Sequence, residues 1–392
     1  MIAFRYRTGG VLFVMGLVTA AARAAEVRLD DGLSVQSGDY RFRLGGRVMW
    51  DADSFDGALN RDHDGERRFD AYLRRARIEL SADVHPDVSL QFDVDVHDGA
   101  EVHTAGIEYR GWSWADVFVG RTKEPFGLEE LTSSNAISTI ERNWFTEATD
   151  ADGQPHFGVL LSGRVGPLGW AAGVFNPEGN PEREDGGDRF AVTGRLFGTP
   201  ILSGARVLHL GAAYTDRNLD QPLDAAGFEL DVAEGGGELD SATLQIAEDR
   251  QLGLEALYID GRFSVQAEAF RRDMPGADGG PDGRVDDWYL QATWTVTGES
   301  RGYKRDEGVP DMIEPSGRRG AVELVAKIDR IRFDVDGRPD QKVDGLLLGA
   351  NWYPIRHVKL MANVIRVSSD GVVGRGEDDD ATVFSTRVQF AF

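Results

Sequence analysis

The feature that most constrains this chain is an alternation of apolar and polar residues that recurs in segments of about ten residues. In a clear example, Phe263 and Val265 alternate with Ser264 and Gln266. Successive side chains of a β-strand point to opposite faces, so such a segment forms a strand with one apolar and one polar face. After residue 25 no apolar run reaches the ~20 residues that a membrane-spanning helix needs. The sequence therefore predicts a chain built from amphipathic strands.

About sixteen strands are predicted, separated by clusters of Gly, Asp, Asn and Pro that indicate turns and loops. An even number of this size is typical of bacterial membrane barrels. The predicted strands lie near residues 40–50, 69–80, 88–97, 103–110, 114–122, 156–164, 168–176, 189–197, 205–215, 251–259, 262–271, 286–297, 319–330, 343–353, 356–367 and 381–392.

The width of such a barrel decides where its apolar faces point. A shell of about sixteen strands is too wide to fill with inward-facing side chains, whereas lipid can cover outward-facing ones. We therefore predict an all-β fold, a transmembrane antiparallel β-barrel of about sixteen strands. A soluble barrel or sandwich also alternates and is the alternative. The aromatic residues expected at the membrane interfaces are Trp50, Tyr109, Trp112, Trp288, Trp352 and Tyr353.

The first residues have the pattern of an export signal. Arg5 and Arg7 precede an apolar run at 11–22, and Ala22 and Ala24 stand at the two positions that a signal peptidase reads. The run of about 12 apolar residues is shorter than the ~20 of a spanning helix, so a signal peptide is favoured over a membrane anchor. We predict a signal peptide at residues 1–24 and a single barrel domain at residues 25–392.

Composition argues against several classes of function. The chain has no Cys, which removes disulfides, thiolate metal sites and cysteine nucleophiles. A net charge of −23 argues against nucleic-acid binding, which needs a basic surface. The seven His have no metal-ligand spacing, and no phosphate-cradling loop, calcium loop or catalytic motif emerges. We therefore expect no catalytic residue, no metal, no cofactor and no enzymatic activity.

The last predicted strand carries a further signal. Phe384, Val388, Phe390 and Phe392 share one of its faces. An amphipathic strand that ends in Phe resembles the signal read by the outer-membrane assembly machinery. Together with the export signal, it predicts insertion into the lipid of a bacterial outer membrane, with that machinery as a partner through Phe392.

Several segments resemble the phosphate-selective porin O and P family. They are LRRARIEL at 73–80, GRTKEPFGLEELTSSN at 120–135, TGESR at 297–301, GAVEL at 320–324, NWY at 351–353 and the terminal strand. The resemblance is spread over nearly the whole mature chain. It implies a barrel of about sixteen strands, usually trimeric, that is narrowed by an inward-folded loop and lined by basic residues that conduct anions.

Basic residues fall on the predicted lumen faces of the first two strands. Arg43 and Arg47 alternate with apolar residues, so they face the lumen if the apolar face meets lipid. Arg75 and Arg77 share one face of the second strand. Arg74 falls on the opposite face unless a bulge or a position at the rim places it elsewhere.

A segment at 125–145 breaks the alternation and is the candidate constriction loop, taken as about residues 124–145. It follows Lys123, contains Ser133 and Ser134, and is expected to hold a short helix that ends near Arg142. It resembles the corresponding region of the family. The candidate pore-lining and anion-binding residues are Arg43, Arg47, Arg74, Arg75, Arg77, Lys123, Ser133, Ser134 and Arg142.

These cations and hydroxyls predict several weak oxyanion sites in series, which would let each ion leave as well as enter. The alternative is that the cations neutralise lumen carboxylates and brace the barrel wall. The carboxylates expected on lumen faces are Asp93, Asp95, Glu255, Glu268 and Glu323.

The expected function is that of an outer-membrane porin, a water-filled channel for passive diffusion of small hydrophilic solutes. Anions such as phosphate are the expected class. A weakly selective general porin and a structural or adhesive barrel without transport are the alternatives. A barrel hydrolase is disfavoured because no nucleophile with a nearby base can be identified. A homotrimer is implied by the resemblance alone.

Overall fold

The computed structural model describes residues 26–28, 32–63, 65–148, 155–177, 190–225, 244–370 and 379–392. The predicted signal peptide at 1–24 lies outside the described residues. The described strands, in chain order, are β1 (Glu26–Arg28), β2 (Leu33–Ser37), β3 (Tyr40–Phe55), β4 (Arg68–His85), β5 (Val88–Asp95), β6 (Glu101–Tyr109), β7 (Asp116–Thr122), β8 (His156–Val165), β9 (Leu168–Asn176), β10 (Phe190–Ser203), β11 (Arg206–Ala225), β12 (Leu244–Asp260), β13 (Phe263–Met274), β14 (Gly283–Thr295), β15 (Arg301–Lys304), β16 (Val309–Ile313), β17 (Ala321–Val335), β18 (Gln341–Ile355), β19 (Val358–Asp370) and β20 (Asp379–Ala391).

Sixteen of these strands, β3–β14 and β17–β20, close into one antiparallel barrel. Each pairs with the next barrel strand, and β20 closes the barrel by pairing with β3, from Val383 opposite Phe55 to Ala391 opposite Arg47. Closure gives every barrel strand two hydrogen-bonded neighbours, as a lipid environment demands. Each predicted strand overlaps one barrel strand, so the predicted fold class is confirmed.

Side chains alternate between the two faces of the wall as predicted. On β13, Phe263 and Val265 are exposed on the outer face, whereas Ser264, Gln266 and Glu268 are buried inside. The apolar row on the outside is the surface that hydrocarbon covers in a membrane barrel.

The barrel has a short-turn end and a long-loop end. Two residues connect β4 to β5, β8 to β9, β10 to β11 and β12 to β13, whereas residues 123–155 connect β7 to β8. Outer-membrane barrels place short turns in the periplasm and long loops outside the cell. The strand β3 begins at the short-turn end, where the backbone N–H of Gly46 donates to the carbonyl oxygen of Phe392 at 3.0 Å.

Four strands lie outside the predicted set. The strands β1 and β2 extend the sheet beside the start of β3. The strands β15 and β16 form a hairpin within the connection from β14 to β17, which is the one long connection at the short-turn end among the described residues.

Helices are short in the described part of the chain. They are α1 (Leu128–Leu131), α2 (Trp144–Ala148) and two 3-10 helices at Gly57–His63 and Ala277–Gly279. None of the helices in the described residues has the length and apolar content that crossing a membrane requires.

One of the predicted interface aromatics faces the other way. Trp352 is exposed on the outer face of β18, but its neighbour Tyr353 is only 4% exposed and donates a 2.9 Å hydrogen bond to Glu323 inside the barrel. The prediction for Tyr353 is wrong because adjacent residues of one strand point to opposite faces. The other predicted aromatics, Trp50, Tyr109, Trp112 and Trp288, are exposed.

Candidate functional site

The connection from β7 to β8 folds into the barrel, and we call residues 123–148 the inward segment. The backbone N–H groups of Leu128 and Glu129, at the start of α1, donate to the carboxylate of Glu268 on the inner face of β13, at 2.5 and 2.9 Å. Gly127 turns the chain into α1 with φ of 77°, a conformation that favours glycine. The expected helix ending near Arg142 is wrong, since the helices lie at 128–131 and 144–148.

The inward segment also bonds to the wall on the other side of the barrel. The N–H of Ile140 donates to Asn363 on β19 at 2.9 Å, and the N–H of Trp144 donates to Asp329 on β17 at 3.1 Å. Lys359 on β19 donates to the carbonyl oxygen of Ile137 at 2.5 Å. The segment is therefore held by wall residues from β13 to β19, and its backbone polar groups find partners there.

Apolar contacts fill part of the lumen beside this segment. Ile140, Trp144 and Phe145 are buried and belong to one cluster with inward-facing wall residues. Sequence reasoning missed this cluster because it took inward faces to be polar. The wall residues from β17–β20 are Val325, Ile331, Val335, Val343, Leu347, Met361, Ile365, Val367, Ala381 and Val383.

Glu141 joins the inward segment to β4 and β20. Arg75 donates two hydrogen bonds of 2.8 Å to its carboxylate, Arg74 lies 3.2 Å from it, and Arg387 pairs with it as well. Arg387 also pairs with Asp51 at 2.6 Å. Burial alone would raise the pKa of Glu141, but the three guanidinium groups hold that pKa well below its ordinary value.

A β-bulge explains how two consecutive arginines reach the same carboxylate. Trp50 on β3 stands opposite Leu73, whereas the adjacent Met49 stands opposite Arg75, so Arg74 is the extra residue. The bulge brings Arg74 to the inner face. From the sequence, a bulge at this position was one of the two ways in which Arg74 could avoid the outer face.

Two further candidates on β3 and β4 bond to carboxylates of the wall. Arg47 pairs with Glu79, and it donates to the Ser133 hydroxyl at 3.2 Å and the Ser134 hydroxyl at 2.8 Å. Arg77 donates to Asp95 at 3.0 Å. Arg47 therefore connects β3 to the inward segment.

Lys123 and Arg142 bond within the inward segment itself. Both contact the carboxylate of Glu130, which lies 3.2 Å from Arg142. Arg142 also donates to the carbonyl oxygens of Glu129 and Thr132 at 3.2 and 2.9 Å. These two cations therefore stabilise the fold of the segment.

A cavity of about 760 Å³ opens at the short-turn end, between the inward segment and the walls formed by β3–β6. Arg43, Arg47 and Ser133 line it. Arg43 is exposed there and, within the described part of the chain, forms no ion pair.

The cavity carries equal numbers of basic and acidic residues. Arg110, for example, donates to Asp83 at 3.0 Å. Positive and negative groups along one wall hold each other in place and weaken the net field across the cavity. The lining Arg and Lys are Arg43, Arg47, Arg110, Lys304 and Arg356, and the lining Asp and Glu are Glu79, Asp83, Asp93, Glu108 and Asp311.

The hairpin β15–β16 enters the barrel from the short-turn end. Arg301 donates to the carbonyl oxygen of Ala136 at 2.6 Å, contacts the Ser138 hydroxyl, and pairs with Glu323 on β17 at 2.5 Å. It thus joins the hairpin to the inward segment. The hairpin supplies Lys304 to the cavity wall.

The far side of the hairpin is bonded to the opposite wall. Arg195 on β10 donates to the carbonyl oxygens of Glu307 and Gly308 at 2.9 and 2.8 Å, and His209 on β11 bonds to Tyr303 at 2.8 Å. The hairpin therefore spans from β17 to β10 and β11, which leaves the cavity beside β3–β6. The signal for it in the sequence was the unusual length of the connection at 296–320, since short turns are usual at that end of a barrel.

No group of three or more His, Asp or Glu suited to a metal ion occurs among the described residues.

Comparisons with known proteins agree with this architecture. Residues 42–392 match the family model described as phosphate-selective porin O and P. Porin O of Pseudomonas aeruginosa is 29% identical over 418 aligned residues, which cover 96% of this chain and 94% of that protein. An uncharacterized protein of Caulobacter vibrioides is 26% identical over 88% of this chain and 72% of its own length.

Solved structures show the same fold at low sequence identity. The outer-membrane protein OmpT of Vibrio cholerae superposes with a TM-score of 0.61 at 12% identity, covering 92% of this chain and 100% of that chain. The anion-selective porin from Comamonas acidovorans superposes with a TM-score of 0.59 at 16% identity, covering 90% and 100%. Family and fold point to a channel rather than an enzyme. The chain therefore belongs to the phosphate-selective porin O and P family and forms a porin channel in the bacterial outer membrane.

Proposed function

We propose that this porin passes small hydrophilic solutes by passive diffusion, and that small anions such as phosphate are among them. The observation that carries the proposal is the position of Arg43, which is exposed in the short-turn cavity, beside Arg47 and the Ser133 hydroxyl. A guanidinium group binds an oxyanion through parallel N–H donors, and a hydroxyl adds a further one.

Each contact along this path is weak, because Arg43 is exposed and the other cations of the cavity lie near carboxylates. The binding free energy of an anion is then large enough for the anion to enter the cavity and small enough for it to leave, which is the condition for conduction. We propose no catalytic step in this passage.

A second candidate function is that of a weakly selective general porin. The five carboxylates of the cavity wall favour it, since they match the five cations in number. Most of the candidate cations at the inward segment are also already paired, as Arg75 is with Glu141. On this view the lumen charges hold the walls and the segment together, and cations and anions cross at similar rates.

Reversal potentials in planar bilayers under a potassium chloride gradient separate the two candidates. A preference for chloride, with block of the chloride current by phosphate, supports the anion path. No preference and no block supports the general porin. Absence of any conductance contradicts both.

The variant Arg43→Glu tests the proposed anion contact. It changes the local charge by two units, which for an ion passing at about 6 Å in water is worth about 1.4 kcal/mol before screening. Screening at physiological salt roughly halves this, leaving about a threefold change in the occupancy of each ion. The reversal potential is expected to shift toward cations. The control Arg262→Glu, at the exposed β12–β13 turn of the same end, should leave it unchanged.

We also propose a homotrimer, as the family resemblance implies. The described outward faces of β3–β10 carry one charged residue, Arg121, and an arc with so little charge suits contact with other copies. Light scattering of the detergent-solubilised porin tests the proposal, and a monomer mass contradicts it.

We propose further that the assembly machinery reads the last strand through Phe392, which is 43% exposed and stacks on Phe390 at 5.7 Å. Phe392→Ala should lower the amount of barrel in the outer membrane while refolding in detergent proceeds normally. Equal amounts of variant and wild type in the membrane would contradict this.

A further inference from the structure

A band of charged residues covers the outer face of the barrel at the long-loop ends of β12–β14 and β17–β19. We call its basic members the outer belt. The outer belt consists of Arg250, Arg271, Arg284, Arg330, Arg332, Lys342 and Arg366.

The alternation of each strand fixes the direction of these side chains. Arg330 lies between Asp329 and Ile331, which are both buried inside the barrel. Arg271 likewise lies between the buried residues Phe270 and Arg272. The guanidinium groups of the outer belt therefore point away from the lumen, and they take no part in lining the pore.

The rows next to the outer belt show at what depth it lies. Directly toward the short-turn end, the outward residues become apolar at Leu290, Ile328 and Leu346, all about two-fifths to one-half exposed. Trp288 lies between the two zones, with Arg330 over its ring at 5.8 Å. A cation on the lipid face costs about 2–4 kcal/mol at the bilayer midplane and little near the interface. The outer belt therefore lies at the level of lipid headgroups.

The outer belt covers only part of the circumference. The described outward faces of β3–β10 carry a single charged side chain, Arg121 on β7. General solubility of the rim would spread charge evenly around the barrel. The restriction of the charged residues to one arc points instead to a partner that contacts this arc.

Carboxylates hold the guanidinium groups in place without using all their donors. The Nε–H of Arg271 donates to Asp286 at 2.8 Å, and that of Arg284 donates to Asp273 at 2.7 Å, in each case across neighbouring strands. Both arginine side chains are still about half exposed. A guanidinium group has five N–H donors in a fixed plane, so the Nη groups remain available toward the membrane.

We propose that the outer belt binds the phosphate groups of the glycolipid that forms the outer leaflet. Planar N–H donors match phosphate oxygens in two parallel hydrogen bonds. The occupant must reach an outward-facing surface at headgroup depth, which a lipid phosphate does and a solute in the lumen does not. The exposed carboxylates between the arginines fit the divalent cations that accompany such phosphates.

The test is a titration of detergent-solubilised porin with purified lipid A in the presence of Mg²⁺, with bound lipid counted by native mass spectrometry. The variant Arg271→Gln, Arg330→Gln, Arg332→Gln removes three cations of the outer belt. Each basic residue near an anionic membrane surface contributes about fivefold in binding, so the triple variant should bind about a hundredfold more weakly. Dephosphorylated lipid A should bind weakly to both proteins.

The matched control is Arg262→Gln, Arg318→Gln, Arg319→Gln, which makes the same change in net charge with exposed arginines of the short-turn end. It should bind lipid A as the wild type does. Retention of the folded band in unheated gel electrophoresis verifies that both triple variants form barrels. Equal affinity of the belt variant and the wild type, or equal binding of dephosphorylated lipid, would overturn the proposal. So would a change in the mass of the porin assembly in the belt variant without loss of lipid, because another copy would then occupy the arc.

Discussion

Replacement of Glu141 by Gln should loosen the inward segment from the barrel wall. Glu141 is the carboxylate at which Arg74 and Arg75 of β4 and Arg387 of β20 meet. The amide keeps the size of the side chain but removes its negative charge. Arg387 retains Asp51 as a partner, whereas the two arginines of β4 lose the carboxylate that they share.

The free energy that anchors the inward segment should fall by a large amount for a single substitution. Removing one member of a buried charge pair costs about 3–5 kcal/mol. The remaining pair of Arg387 places the expected loss at the lower end, about 3 kcal/mol, or about a hundredfold in the ratio of anchored to released segment. Other anchors persist, among them the bonds from α1 to Glu268 and from Ile140 to Asn363. The segment should therefore fluctuate at its Glu141 end rather than leave the lumen.

Single-channel recording detects the fluctuation of the inward segment as noise of the open-channel current and as brief steps to higher conductance. The control is Glu130→Gln, the same chemical change in the same segment, because the partners Lys123 and Arg142 belong to the segment and not to the wall. Glu130→Gln should alter the current noise much less. Equal noise in Glu141→Gln and the wild type, with both barrels folded, would refute the anchoring role.

Two further predictions concern the same contacts. Arg301→Gln removes the cation that bonds the hairpin β15–β16 to the inward segment and to Glu323, so it should raise open-channel noise. In a double variant with Ser138→Ala, the increase in noise should be less than the sum of the two single increases, because both substitutions break the same contact. Full additivity would mean that the two residues act separately. Acidification tests Glu141, whose pKa is raised by burial but lowered by a larger amount by Arg74, Arg75 and Arg387. A carboxyl group with a depressed folded pKa contributes fully above the ordinary glutamate range, and this contribution is lost progressively as the pH falls from that range through the depressed pKa. Open-channel noise should therefore stay constant above the ordinary glutamate range and rise progressively as the pH falls from that range toward the depressed pKa. A rise that begins above the ordinary glutamate range, or noise that stays unchanged at strongly acidic pH, would contradict the assignment.

The wall of the barrel could be predicted because its signal is local. Alternation along a strand such as β13 identifies the strand and its two faces without any knowledge of the neighbours. The same rule explains the error at Tyr353: Trp352 and Tyr353 are adjacent, so only one of them can meet lipid. The position of the bulge at Arg74 depends on the register of β3 against β4, so it cannot be predicted from the sequence of one strand alone.

The contacts inside the lumen could not be predicted because they join residues far apart in the chain. Arg75 and Glu141 are 66 positions apart, and Arg301 and Ala136 are 165 apart. The sequence allowed two interpretations of the candidate cations: they bind anions, or they pair with carboxylates and stabilise the barrel wall. Which carboxylate each cation meets depends on how the inward segment crosses the barrel, and alternation carries no information about that path.

We propose that solutes cross through the barrel interior and leave through the cavity beside β3–β6. The chain has no Cys, so one introduced thiol can be labelled alone. Gln91 of β5 lines the cavity, whereas the adjacent Leu90 is 41% exposed on the outer face. In planar bilayers, a water-soluble charged thiosulfonate reagent should reduce the current of Gln91→Cys and leave that of Leu90→Cys unchanged. A Gln91→Cys channel that is labelled stoichiometrically and yet conducts as before would contradict this path.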